Sequence, residues 1–526
     1  MEVIMNIFKR ATLLLSIKDS AGNSLRKIAE KISTPKSNIH RHLSNRKKRV
    51  EQMGHDFFET QEGIEWLCRL LFSTIFIFGI QAGVGSETIS LYFHTIFISV
   101  YVGVSANIIR KIKNEMRIVI ADYGDEQMKE IIIRCIDKEL HLGSDETYFS
   151  RELFLITMEL KSGFILTETL EQDRKFATWW KCIGGIIQYF KKIASFTSDG
   201  ANALKKIGAK VKCKNIMDLF HLQQDIKKLF ATKFYSKERS LSSQAAKIDA
   251  DNSLSALEKT ESIKSINHKL AVIKKGQKSY RRALFTVSTQ SHPFKDDLTI
   301  KTSSELKEQL LAEVKTLQTV LEDCEIIDKK NMIKRIKNRI VSFSQLNDLW
   351  HRWTEQILAC KTNSPEIKKW SYKVLALAYF EEQLRKSKRK KWLRPHYKIM
   401  LEKAILQLKS DPLTRKYLTS EWMDFAKDMS LKYQRTTSAI EGRNARLSQH
   451  YFSTRGIKAE HVKPLTVIAN FWVQRDDKTT AAERLCGFKP PDLFEYILKK
   501  MDHVPLPRQR DKKLTTAFSQ LLPSAI

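Results

Sequence analysis

The chain predicts a mixed α/β protein in which helix predominates, and three observations carry that expectation. Residues 139–217 read as short strands and helices in the order β-β-β-α-β-α-β. Residues 226–430 are almost continuously helix-compatible and highly charged. Residues 1–138 carry helical spacing, beginning with two short helices joined by a tight turn.

The first of these, Ser24 to Ile32, places Leu25, Ile28, Ala29 and Ile32 on one face. Ser33-Thr34-Pro35 then interrupts it, with a hydroxyl to cap the next helix and a proline suited to its first turn. A second helix, Lys36 to Leu43, is anchored by Ile39 and Leu43. The pair is a helix-turn-helix candidate over residues 1–50. Its second helix presents Lys36, Ser37, Asn38, His40 and Arg41, ahead of the Arg46–Arg49 basic cluster. Such side chains meet base edges and phosphates. A helical hairpin with a solvated basic face fits the same pattern.

Residues 51–138 are expected to be helical, with Val104–Ile112, capped by Ser105, as a second and weaker DNA-binding candidate. Leu70–Ile80 and Leu91–Val104 are very apolar. Each is shorter than the roughly 18 residues of a spanning helix, and the glycines at 79–85 separate them. Buried core helices, not membrane spans, are the expectation.

Within 139–225 the first strand is His141–Phe149. Leu153–Leu160 and Phe164–Leu170 follow, joined by the hairpin connection Lys161-Ser-Gly163. Asp173–Phe190 reads as a helix whose Trp179 and Trp180 suit core and groove packing. A strand (Ile193–Thr197), a helix (Ala201–Ile207) and a last strand (Val211–Met217) complete the unit. Prolines 293, 365 and 395 punctuate the helical block of 226–430. Its Lys386–Lys391 cluster suits a solvated helix end as well as a DNA backbone. Residues 431–526 form a final segment.

Charge narrows the partners. Ninety-one Lys and Arg against 59 Asp and Glu leave a formal net charge of +32, and the pI is about 9.7. That surplus costs self-repulsion and points to a polyanion, nucleic acid before an anionic membrane. Apolar content of 42% excludes a disordered chain. The seven cysteines form no CxxC pair, which excludes a zinc finger or disulfide framework and fits a reducing cytoplasm. The N-terminal segment lacks the small-residue cleavage signature of a signal peptide.

Cutting and rejoining phosphodiesters at two divalent cations requires a few carboxylates to converge. A ribonuclease H-like sheet offers the geometry: one acid on the first strand, one at the end of the fourth, one on a later helix. Asp145 lies on the first strand here and Asp199 ends the fourth, 54 residues later. Each has a plainer role open to it, as a solvated strand-end acid or as a cap for the next helix. Glu146, adjacent to Asp145, should face the opposite side of the strand and make a poor co-ligand. Asp122 and Asp125 are expected in a loop.

Four stretches taken together resemble the DDE insertion-sequence transposases, especially bacterial ones with a long helical insertion before the last acid. They are Ser144-Asp-Glu-Thr-Tyr-Phe149, Thr197-Ser-Asp-Gly-Ala201, Asp218-Leu-Phe-His221 and Ser438-Ala-Ile-Glu-Gly-Arg-Asn444. Thr466–Phe471 and Thr479–Leu485 resemble that family's C-terminal tail. The resemblance covers roughly 140–225 and 430–500 and rests on the order and spacing of the motifs.

The resemblance implies a ribonuclease H-like core split by the insertion, with Glu441 as third acid beside Asp145 and Asp199. It implies Mg²⁺ or Mn²⁺, two ions, held by these three. It places Asp218 and His221 near the active site, where a structural pair is equally open. Arg435, Arg443, Asn444 and Arg446 surround Glu441 with groups able to read phosphate. The implied activity is cleavage at transposon ends and 3′-hydroxyl strand transfer into double-stranded DNA, by a homo-oligomer on the cytoplasmic nucleoid. A nuclease or resolvase without strand transfer, or an inactive DNA-binding derivative, would share these features. Ser438-x-x-Glu441 also fits a capping box, which would occupy Glu441 at its own helix start.

Overall fold

The computed structural model describes residues 24–32, 35–37, 39–40, 44, 60–328, 330–388, 390–501 and 505. In the N-terminal region α1 (Leu25–Ile32) is followed by exposed Lys36, Ser37 and His40 around buried Ile39. Asn38, Arg41 and the Arg46–Arg49 cluster lie outside the described residues.

Helix α2 (Gln61–Thr74) starts at the Thr60 cap and continues as a π-helix through Ile75–Gln81. This 21-residue helical stretch is long and apolar enough to cross a membrane by length and composition alone. The helix exceeds the expected length because it begins before Glu65 and Arg69, while the glycine-rich break still separates it from the next helix. Its Ile64, Leu67, Leu71, Phe72, Ile75, Phe76 and Ile80 are nevertheless buried in a protein core. Helix α3 (Ser86–Thr95) leads on to α4 (Ala106–Cys135), capped by Ser105 as expected. The candidate Val104–Ile112 leads into the first turns of a thirty-residue helix with buried Ile109 and Ile112. Asp122 and Asp125 belong to the same helix, not a loop.

The strand–helix order after residue 138 is the one the sequence predicts: β1 (Glu139–Phe149), β2 (Glu152–Glu159), β3 (Phe164–Glu171), α5 (Phe176–Ile187), β4 (Lys192–Ser198), α6 (Asn202–Lys210) and β5 (Lys214–Met217). They form one mixed sheet in the order β3-β2-β1-β4-β5. The β1–β2 and β2–β3 pairs are antiparallel; β1–β4 and β4–β5 are parallel. Alternation along β2 sends Leu153 and Leu155 into one core and Phe154, Ile156 and Met158 into another. The protein is thus mixed α/β and mostly helical around a small sheet.

A helical excursion separates β5 from the chain's return. It comprises α7 (Leu219–Ala250), α8 (Ala256–Gln290), α9 (Ser303–Asp323), α10 (Met332–Lys361), α11 (Pro365–Lys386), α12 (Arg394–Lys409), α13 (Pro412–Tyr417) and α14 (Ser420–Lys432). Its large core includes Trp350 and Trp370 and reaches Ala194 and Ile216 of the sheet. Trp353 of α10 also packs edge-on against His141 of β1. Arg435 closes this unit. Its guanidinium donates to the Ser291 carbonyl at 2.9 Å, Gln383 Oε1 at 2.7 Å and the Tyr397 hydroxyl at 3.0 Å. Expected to read phosphate, Arg435 instead satisfies backbone and side-chain acceptors inside the insertion.

The chain then returns to the sheet through α15 (Ser438–Thr454), α16 (Ala459–Phe471), α17 (Ala481–Cys486) and α18 (Leu493–Lys500). Ile440 and Leu447 of α15 pack on the face of Phe154, Ile156 and Met158. Helix α16 seals the edge strand, because Asn470 Oδ1 accepts from Ile165 N at 2.8 Å and its Nδ2 donates to Ile165 O at 2.9 Å. Gly124 permits α16 to lie against α4: a Cβ there would meet Val467 Cγ2 at 2.4 Å. The Thr480–Glu483 capping box starts α17, and Arg484 beside it donates to the Ser162 carbonyl of the β2–β3 turn at 2.8 Å. The motif Thr479–Leu485 is therefore a structural brace. The thiols of Cys135 and Cys486, far apart in sequence, meet at 2.8 Å between α4 and α17.

Asn470→Ala leaves a buried edge-strand N–H and C=O without partners. It should lower unfolding free energy by roughly 2–4 kcal/mol, read as a shift in the urea midpoint at unchanged slope.

Candidate active site

The sheet register brings the acids together. Gly143 of β1 pairs with Thr197 of β4, and Thr197 pairs with Ile216 of β5, all three strands running the same way. Two residues further on come Asp145, within β1, and Asp199 and Asp218, each just past the end of its strand. The three strands lie roughly 4.8 Å apart, so the acids emerge on the same side of the register. Gly200, at φ +83°, then turns the chain sharply away after Asp199.

Two helix starts complete the cluster. Asp218 caps α7, its Oδ1 accepting from Phe220 N at 2.7 Å. One turn on, His221 directs Nε2 between Asp145 Oδ1 and Asp218 Oδ2, 3.9 Å from each. Glu441 enters from the first turn of α15. One ligand atom each from Asp145, His221 and Glu441 lies within 4.8 Å of the others.

The capping-box role open to Glu441 is not taken up. The cap of α15 is Thr437, with no side-chain capping bond, and Ser438 is already inside the helix. Ser438 instead accepts from the Thr436 hydroxyl at 2.8 Å. Glu441 is released to face Asp145. Its helix is held there by two ties to the β5–α7 junction: the buried Thr437 hydroxyl donates to Asp218 Oδ2, and Leu219 N donates to Arg435 O at 3.0 Å.

Asp199 has a divided role. Its Oδ1 accepts from Ala201 N at 2.8 Å just before α6 begins, close to the capping role the sequence left open. It is outside the three-ligand group, although its charge acts on Asp145. Burial first, and then the charges of Glu441, Glu146, Asp199 and Asp218, push the Asp145 carboxyl up to about 9. Burial likewise raises Asp218.

Glu146 was set aside on alternation, and its side chain does pair with Arg174. It still bears on the site: its carboxyl is raised by burial and then by Asp199, and its Oε2 is buried without a partner. Alternation excluded it as a co-ligand of Asp145 but could not exclude it from the same field.

The other expected DNA contacts around Glu441 divide. Arg443 forms a two-pronged pair with buried Glu168 of β3, at 2.8 and 2.6 Å, which also accepts from Thr466 at 2.6 Å. Asn444 is buried. Arg443 therefore braces α15 against the sheet, contrary to a phosphate-reading role, and the Asn444 Oδ1 is buried on the same inward face. Arg446 is exposed. Glu168 left no sign in the sequence, since a lone acid on a strand has no visible partner 275 residues away.

The residues fit a divalent cation. Two carboxylates supply hard oxygen ligands, and one imidazole extends the fit to first-row transition ions such as Mn²⁺. His221 Nε2 is buried and lacks a hydrogen-bond partner, as a nitrogen reserved for a ligand would be. Mutual repulsion of the surrounding acids supplies the remaining demand for positive charge.

Residues 371–513 match DUF6399, a family of unknown function. The matched stretch holds Glu441 and helices α15–α18 but not Asp145, Asp199 or His221. No curated protein matches the chain.

Asp145 yields a pH prediction. Its carboxyl is raised above the ordinary value of 3.8. Its contribution to stability is therefore present below pH 4 and lost as pH rises toward 9. A bound cation replaces the proton, so the gain in melting temperature from Mn²⁺ should grow from pH 5 to pH 8. Asp145→Asn should flatten both the cation-free decline and the Mn²⁺ gain; an Mn²⁺ gain equal to wild type in that variant would contradict the assignment.

Proposed function

We propose that this protein is a DNA transposase of the DDE class with a ribonuclease H-like catalytic core, cutting element ends and joining the freed 3′-hydroxyl to target DNA. The observation that carries the reading is the meeting of Asp145, His221 and Glu441 within 4.8 Å. They come from the first strand, the helix after the fifth strand, and a helix some two hundred residues later.

Three further features support it. The sheet order β3-β2-β1-β4-β5, with its first three strands antiparallel, sets one acid within β1 and one just past the end of β4. The helical insertion interrupts the chain between the second and third acids. The net charge of +32 suits a polyanionic substrate.

Asp145 and Glu441 would hold the cation with His221 as third ligand, and Asp199 and Asp218 would add negative charge at its edge. When bound, a divalent cation supplies positive charge to the attacking and leaving oxygens of phosphodiester exchange. The chain's own part is orientation. The Thr437–Asp218 tie fixes the start of α15. Asp218, capping α7, fixes the turn that carries His221. Arg446, and Lys36, Ser37 and His40 of the N-terminal region, are exposed and free to meet double-stranded DNA.

The test is an assay with a duplex bearing the element ends and flanking DNA, plus a second duplex with a pre-cut 3′-hydroxyl end. Wild type should cut the first and join the second only with Mg²⁺ or Mn²⁺. Asp145→Asn and Glu441→Gln should each lose at least about 100-fold. Cleavage without any joined product would assign a hydrolytic nuclease instead; equal cleavage by Glu441→Gln would remove Glu441 from the site.

Thr437→Val should cost about 10-fold and raise the Mn²⁺ needed for half-maximal rate, and Thr437→Ser should restore both. A merely structural role would leave the Mn²⁺ requirement unmoved.

A further inference from the structure

Helix α8 carries an uncompensated charge. Between residues 262 and 290 it has seven Lys and Arg and no Asp or Glu. All seven (Lys264, Lys269, Lys274, Lys275, Lys278, Arg281 and Arg282) are exposed. Among the described residues none of them forms an ion pair. Lys264, His268, Lys275, Lys278 and Arg282 recur at helical spacing and share one outward face. From Lys264 to Arg282 that face runs about 27 Å along the helix axis. A helix solvated only for solubility would mix signs along such a face.

The stripe does not stop at the end of the basic run. Phe285, 36% exposed, lies 6.0 Å from Trp392, which is 50% exposed, and 6.0 Å from His396. Trp392 sits in the α11–α12 junction, where Lys390, Lys391 and Arg394 are exposed and form no ion pair. Lys390 is depressed by loss of solvent and by the charges of Arg435 and Lys227, while the acids of this corner, Asp476 and Asp296, face Lys388 and His396. One turn beyond Phe285, Ser288 is bonded to Gln223 at 2.9 Å. Ser288 is buried and Gln223 is two residues past His221, so the bond ties this end of α8 to the turn of α7 that enters the acid cluster.

We propose that the outer face of α8 and the α11–α12 junction form one contact surface for duplex DNA, leading its phosphate backbone toward the acid cluster. This inference rests on the DNA reading of that cluster and adds where the duplex lies. A regular row of unpaired cations matches a polyanion bearing one charge per roughly 1.7 Å of axis. The exposed aromatic pair closes the row at the end of α8 that is tied to α7, placed to meet a sugar or a base.

The test uses the full chain and a 30-base-pair duplex, with anisotropy titrations across a KCl series. Variant one is Lys275→Glu/Lys278→Glu/Arg282→Glu. Variant two changes net charge equally elsewhere, at exposed Lys129, Lys499 and Lys500, each to Glu. Both should keep the wild-type melting temperature. Variant one should lower the slope of log affinity against log salt by about 3 and weaken binding at least 100-fold; variant two should leave the slope unchanged. Trp392→Ala should reduce cleavage more than affinity.

If wild type binds duplex and both triple variants bind alike, the surface is wrongly assigned while the catalytic reading stands. If variant one loses only poly-glutamate binding, the surface serves an acidic protein and the inference is overturned. If wild type binds no duplex at any salt, the DNA reading itself fails.

Discussion

Carboxylates forced together out of water are the constraint around which this protein is arranged. At an effective dielectric of about 20, two unit charges some 5 Å apart repel by about 3 kcal/mol. Asp145 stands among four such neighbours and is itself almost wholly buried. A fold does not hold that arrangement for stability's sake, because any one substitution to an amide would relieve it. The acids are held level by sheet register, by Asp218 capping α7 and by the Thr437 tie across to α15. Each device spends a buried polar group on keeping negative charges close, and a cation is the partner such a group of ligands calls for.

The helical insertion belongs to the same logic. It begins one residue after Asp218 and ends six residues before Ser438 opens α15. Both boundaries are stitched together by Leu219 N and Arg435 O. Arg435 then anchors that stitch inside the insertion through Ser291, Gln383 and Tyr397. The excursion is therefore no loose appendage: its own packing sets where the third acid arrives. Farther out, the same insertion turns an acid-free basic face to solvent. One element thus fixes a negative cluster and carries a positive surface beside it.

Much of this was legible in the sequence. Period-two alternation and short Gly-bearing turns gave the strand order of 139–217 within a few residues, and the first strand and the end of the fourth gave Asp145 and Asp199. Pairwise partners were not legible. Arg435, Arg443 and Asn444 look like phosphate readers when seen beside Glu441, because sequence shows neighbours along the chain and not across it. Arg443 turns inward only because Glu168 waits on β3. The Ser438–Glu441 box failed for a related reason: the Thr437 hydroxyl was drawn to Asp218, and the helix began there instead. The 21-residue apolar helix at 61–81 shows the limit of length rules, since the helix extends past Arg69 and Glu65, the charges that bound its apolar run in the sequence. His221 had a usable signal, its three-residue spacing from an aspartate that caps a helix.

The central claim is that Asp145, His221 and Glu441 form one cation site. Anomalous diffraction from crystals soaked in Mn²⁺ tests it most directly. The account predicts a strong peak in contact with all three side chains, lost in Asp145→Asn crystals of the same form. A peak that ignores Glu441 and His221, or no peak among these acids at saturating Mn²⁺, would contradict it.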